Sequence, residues 1–198
     1  MKNILKLSLL SIMFAFASCK DNKTETVEKE NTEAVTQEAV GPEEVKAQAE
    51  PLSKSSFSVD EVLNNYLKLK NALTKDDSKG AANAAKELHT TFNNLKADKI
   101  EDKFKKEYAD ITVDAKEHAE HIGDNSGKIS HQREHFAMLS KDVNDLIKIF
   151  GTDTKIYRDY CPMYDQGKSG YWISETKDIK NPYYGSEMLT CGGITNEW

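Results

Sequence analysis

The sequence predicts an all-α domain, an up-and-down four-helix bundle carrying an irregular C-terminal segment or small hairpin. Three observations lead there. Between residues 58 and 150, apolar residues recur every three or four positions in four separate runs. Short breaker clusters divide those runs, which is the pattern of antiparallel neighbours. Beyond Gly151 the helical period stops, and Tyr, Trp, Gly, Pro and Cys take over.

Ser58-Val59-Asp60-Glu61 has the form of a capping box, with the Ser58 hydroxyl set to accept from the Glu61 amide, and it opens a first helix over 59–74. Val59, Val62, Leu63, Tyr66, Leu67 and Leu73 supply its inner face. A second helix is expected from about Asp77 to Ala97 through Ala81, Ala84, Ala85, Leu88, Phe92 and Leu95, with Gly80 weakening its first turn. The third carries Ile100, Phe104, Tyr108, Ile111, Ala115, His118 and Ile122. Gly123-Asp124-Asn125-Ser126-Gly127 breaks it, and a fourth follows through Ile129, Phe136, Leu139, Val143, Leu146, Ile147 and Phe150 until Gly151 stops it. Residues 57–198 thus read as one domain with one core.

The N-terminal part has a different logic. Lys2 and Lys6 precede an apolar run over 7–17, and Phe16-Ala17-Ser18-Cys19 places small residues before a cysteine. Residues 1–18 therefore read as a lipoprotein signal peptide and Cys19 as the lipidated first mature residue, because the run is too short to span a bilayer. Phe16 stands where such signals usually carry leucine. Residues 19–56 lack apolar periodicity, are rich in Glu, Lys, Thr, Gln and Ala, and read as a disordered acidic tether. The expected location is the cell envelope of a Gram-negative bacterium, lipid-anchored and facing the periplasm or the outer membrane. The formal net charge is −6 and grows more negative without Lys2 and Lys6, so nucleic acid is not an expected partner.

With Cys19 given to lipid, two cysteines remain, Cys161 and Cys191, in company with Met163 and Met188. Thiolates and thioethers are soft ligands, and the ions they favour are soft ones such as Cu(I) or Ag(I). Cys161 and Met163, two apart, would share a face of an extended segment; Met188 and Cys191, three apart, would share a face of a helical turn. His118, His121, His131 and His135 fall near the 123–127 loop, hence at one end of the bundle, so His131 and His135 are further metal candidates. Helix four is on the order of 30 Å long, and the residues from Gly151 to Tyr160 could span that distance only if nearly fully extended, so Cys161 is expected partway along the bundle. A site combining the sulfurs with His131 or His135 is therefore geometrically permitted but not required.

The rival expectation is structural. In an oxidising compartment Cys161 and Cys191 are natural disulfide partners, and such a bridge would stabilise the tail by about 3 kcal/mol. The chain would then be a disulfide-stapled helical module that binds or spaces a protein partner. Catalysis is not expected: no spacing enforces a cysteine–histidine pair, there is no Cys-x-x-Cys, His118-x-x-His121 or His131-x-x-x-His135 alone is a weak zinc signal, and no phosphate-cradling glycine loop occurs.

Gln132-Arg133, Phe136 and Leu139-Ser140, then Tyr157, Cys161-Pro162-Met163, Gly170-Tyr171-Trp172-Ile173-Ser174, Asn181-Pro182-Tyr183-Tyr184-Gly185 and Met188-Leu189-Thr190-Cys191-Gly192 together resemble a bacterial domain family of unassigned function. That family occurs alone in lipoproteins and also appended to periplasmic adaptors of copper and silver efflux pumps. The resemblance covers roughly residues 58–195. It implies a periplasmic heavy-metal role, with heavy-metal efflux components as partners and the Cys-Pro-Met and Met-x-x-Cys pieces as ligands. The chain carries no membrane-fusion hairpin or barrel, so pump assembly itself is not implied.

Overall fold

The computed structural model describes residues 57–198 apart from Ser169. The expected signal peptide, Cys19 and the acidic tether lie outside the described residues. Four helices dominate: α1 (Asp60–Leu73), α2 (Ser78–Asn94), α3 (Asp102–Asp124) and α4 (Ile129–Phe150). They are followed by three short strands, β1 (Tyr157–Tyr160), β2 (Tyr171–Ser174) and β3 (Gly193–Glu197). Among the described residues no helix is long and apolar enough to cross a membrane.

Most apolar positions expected to face inward are buried, while Leu95, Phe104, Ile111 and Ile129 are half-buried against the core. Val62, Leu63, Tyr66, Leu88, Phe92, Ile122, Phe136, Leu139 and Leu146 are all buried in one continuous cluster. Consecutive helices pack on one another, and α4 also touches α1 and α2. At about 1.5–3 kcal/mol for each fully buried large side chain, this cluster is the main driving force for the fold.

Two local expectations change. The capping box does not close: Val59 occupies the cap position of α1, and the Ser58 hydroxyl accepts from the Asp60 amide and donates to the Asp60 carboxylate instead. The short-range alternative wins because a hydroxyl two residues away reaches the first free amide without spanning a full turn. Gly80, expected to weaken α2, belongs to its cap. The Asp77 carboxylate accepts from the Gly80 amide at 2.8 Å, and a Cβ at position 80 would lie 2.2 Å from that carboxylate.

The C-terminal segment is a three-stranded antiparallel sheet in the order β2-β1-β3, more than the hairpin or loops expected. Tyr157 pairs with Ser174 and Tyr160 with Tyr171 on one side; Tyr157 pairs with Glu197 and Tyr160 with Gly193 on the other, with a register shift between Arg158 and Asp159. The β2 strand lies against α4. Trp172 and Ile173 enter the core, and the Ile173 amide donates to the Tyr66 hydroxyl, which is itself 2.7 Å from Ser140.

Arg133 fastens this segment to the helices. It donates to the Pro182 carbonyl, to the Leu73 carbonyl and to Asp76, while Asp76 accepts from both the amide and the hydroxyl of Ser186. Gly185, at φ +55, passes so close that a Cβ would meet Asp76 at 2.1 Å. Gln132, fully buried, bonds Ser78 of α2 and the Ile122 carbonyl of α3, tying three helix ends together.

Candidate functional site

Two clusters of ligand-type side chains emerge, on different faces of α4. The first is formed by sulfur. Cys161 leaves the end of β1, its amide donating to the Gly170 carbonyl, and Cys191 ends a turn in which its amide donates to the Met188 carbonyl at 3.0 Å. The Asn181 side chain donates to the Cys191 carbonyl at 2.8 Å and its oxygen accepts the Tyr183 and Tyr184 amides. These contacts bring the two Sγ atoms to 3.2 Å, with both cysteines in the thiol form. Cys161 is fully buried and Cys191 is half-buried. Cys161 beside it, together with burial, pushes the Cys191 thiol up.

The methionines flank this pair differently than expected. Pro162-Met163 is a turn rather than an extended piece, so Cys161 and Met163 do not alternate along a strand. The Met163 backbone N–H instead lies against the Cys191 sulfur, and the Met163 side chain is 59% exposed. Its carbonyl accepts from the Tyr184 hydroxyl. Met188 is half-buried and its turn does place it three residues before Cys191, as the spacing predicts.

The second cluster is formed by imidazoles of α3 and α4. One ring nitrogen from each of His121, His131 and His135 lies within 4.8 Å of the others. The His121 and His135 rings stack at 4.4 Å, and His131 meets His135 edge-on at 4.7 Å. His118 lies behind, its Nδ1 3.4 Å from Nδ1 of His135 and its Nε2 3.9 Å from Asp142. Glu134 sits 3.2 Å from His131 and Glu117 3.9 Å from His121. Burial holds His118 below the usual histidine range, and burial with its neighbouring imidazoles does the same to His135. Burial and the nearby Asp114 charge lift the Asp142 carboxyl to about 7.

The tail does reach this end of α4. The Tyr164 hydroxyl donates to the Arg133 carbonyl at 3.4 Å, and Arg133 holds Pro182. It arrives on another face, however. At about 100° per residue, Arg133 points some 160° away from both His131 and His135, which look toward α3. The sulfur pair and the imidazole group are thus approached from different sides of one helix. A cleft of about 740 Å³ between the outer face of α4 and the sheet, bordered by Met138, Lys141, Asp145, Arg158, Tyr164 and Tyr171, is lined by neither histidine nor cysteine.

Sequence reasoning missed Asp142, although a signal existed: it stands seven residues after His135, hence two turns along the same face. In the tail scaffold, Asn181-Pro182 with Gly185 signals a turn, and Asn181 does accept the Tyr183 and Tyr184 amides; the bonds of Asn181 to the Cys191 carbonyl and of Tyr184 to the Met163 carbonyl join residues ten and twenty-one apart and gave no such signal.

Residues 62–155 match the model of a family described as a protein of unknown function (DUF3347). That stretch contains α2 to α4 and every histidine of the cluster, and it ends before Cys161. No curated protein and no solved structure matches the chain.

Proposed function

We propose that this chain is a lipid-anchored protein of the bacterial cell envelope that binds a soft monovalent metal ion, Cu(I) or Ag(I), for sequestration or hand-over. The observation that carries the reading is the 3.2 Å approach of Cys161 to Cys191, with Met163 and Met188 adjoining in the same turns. The four helices, read as an up-and-down bundle, are the scaffold on which the sulfur-bearing turns are fixed.

The chemistry follows from the ligand types. Two thiols give up two protons to bind one ion as thiolates, while thioethers bind without deprotonation and exchange readily. Cys161 is the buried anchor, and Cys191 and Met163 lie toward solvent, where an incoming ligand can displace them. Metal–sulfur bonds of about 2.3 Å hold two sulfurs up to roughly 4.6 Å apart, so the pair, now at 3.2 Å, must open by up to about 1.4 Å to admit an ion. The raised Cys191 thiol must lose its proton before it binds an ion, so metal uptake competes with protons at this sulfur. The hand-over partners proposed are heavy-metal efflux components.

The same contact favours a second reading, the Cys161–Cys191 staple of a protein-interaction module. A closing movement of about 1 Å would allow the bond, with two protons lost and two electrons passed to the disulfide of an oxidising partner. The two readings compete for the same thiols. Adding one equivalent of Cu(I) to reduced full-length protein should protect Cys161 and Cys191 from alkylation, as read by mass spectrometry. Unchanged alkylation of both thiols would leave the staple as the better account.

A further inference from the structure

We propose a second metal site, separate from the sulfur pair, in which His121, His131 and His135 bind a divalent borderline ion such as Zn(II), Ni(II) or Cu(II). The ligands are imidazoles only, a donor set that suits these ions and offers a soft monovalent ion less than the cysteines do. Three ring nitrogens within 4.8 Å of one another is already near the approach a shared ion requires. At about 2.0–2.1 Å per bond, a tetrahedral ion needs nitrogens about 3.4 Å apart, so the rings must close by at most about 1.5 Å. His121 supplies most of that movement by leaving its stack on His135, and with a side chain 46% exposed it has room to do so.

The surroundings are those a histidine site needs. A ligating imidazole is oriented by what its other ring nitrogen bonds. The Nδ1 of His131 faces Glu134, leaving Nε2 for an ion, and the Nε2 of His121 faces Glu117, leaving Nδ1. His135 has the longest support. Its Nδ1 faces Nδ1 of His118, whose own Nε2 faces Asp142. One tautomer arrangement satisfies the imidazole pair: His118 Nδ1 accepts the His135 Nδ1–H, the His135 Nε2 lone pair is left for the ion, and the His118 Nε2–H is directed toward Asp142, 3.9 Å away and beyond hydrogen-bond distance. His118 is therefore a positioning residue and not a ligand. The exposed His121 and the half-buried His131 border the solvent side, which leaves a fourth position for water or an exchanging ligand.

Co(II) is the probe that separates this site from the sulfur pair, because thiolate ligands add an intense near-ultraviolet charge-transfer band that imidazoles lack. The full chain carrying Cys161→Ser and Cys191→Ser should bind one Co(II) with visible bands and no thiolate band, and Zn(II) should displace it. His121→Gln, His131→Gln and His135→Gln should each weaken binding at least tenfold, and His118→Gln about tenfold, with unchanged circular dichroism. In the wild type, Zn(II) should shift the ring-nitrogen resonances of these four histidines, a readout independent of the serine variants. Wild-type Zn(II) binding that leaves the histidine resonances unmoved, or a triple His→Gln variant that binds Co(II) as tightly as its parent, overturns the site. Its failure leaves the Cu(I) reading untouched, since that site uses other side chains.

Discussion

Arg133 shows how much one side chain carries. Its guanidinium is largely buried and serves two carbonyls and the Asp76 carboxylate, joining the end of α1, α4 and the C-terminal segment. Arg133→Ala strands those acceptors, so unfolding in urea should show a loss of about 2–3 kcal/mol. Ser186 and Arg133 hold the Asp76 carboxyl down to about 2, below its ordinary 3.8. A depressed carboxyl stabilises the fold above its unfolded value and loses that contribution as pH falls from about 4 toward 2, so Asp76→Asn should flatten the pH dependence of stability in that window. Asp159 has the opposite sign. Burial raises its carboxyl to about 7, against the pull of Lys70 and of the neighbouring Trp172 N–H, which does not reach good hydrogen-bond geometry with either oxygen. The unfolded chain ionises it near 3.8 and the folded chain resists, so the group destabilises progressively between those values and fully above 7. Asp159→Asn should therefore raise stability by about 1–3 kcal/mol at pH 8 and have little effect at pH 4, as thermal melts at the two values will show.

At the scale of elements, the disulfide reading makes a separate prediction. If the thiols are bridged in air, Cys161→Ser should lower stability by a few kcal/mol in non-reducing buffer, and the difference should shrink when wild type is reduced. Melts with and without reductant check it. The helices were legible because their signal is local: apolar positions recur within one turn, and α1, α2 and α4 begin and end within a few residues of where periodicity and breakers place them. In the C-terminal sheet the β1–β2 hairpin was legible as one of two alternatives, whereas β3 was not, since it pairs with β1 across more than thirty residues and no turn motif announces that pairing. Caps were misjudged for a related reason. At Ser58 and Gly80 several hydrogen-bond patterns compete, and only packing of the whole turn selects one. The candidate site was legible as residue types and as proximity of histidines to one loop. The face of α4 on which each group stands required knowing that Arg133 turns toward Pro182 while His135 turns toward His118.

At the scale of the molecule, the proposed metal ligands divide between a scaffold and an appended segment. The helical part, which carries the family match, holds the imidazoles, whereas the cysteines lie in the segment beyond it. If the N-terminal reading is right, mass spectrometry of membrane-fraction protein should find lipid on Cys19, with Cys19→Ser released into the soluble fraction. An unmodified soluble wild type would remove the anchor.

The central claim is that sulfur binds Cu(I), and competition against a chromophoric Cu(I) chelator tests it most directly. Reduced full-length protein should take about one Cu(I), and prior oxidation of Cys161 and Cys191 should abolish it. Met163→Leu with Met188→Leu conserves volume and should cost less than about 1.5 kcal/mol of stability while clearly lowering Cu(I) affinity. If reduced wild type fails to compete with the chelator, or competes no better than Cys161→Ser with Cys191→Ser, the sulfur pair is not a copper site.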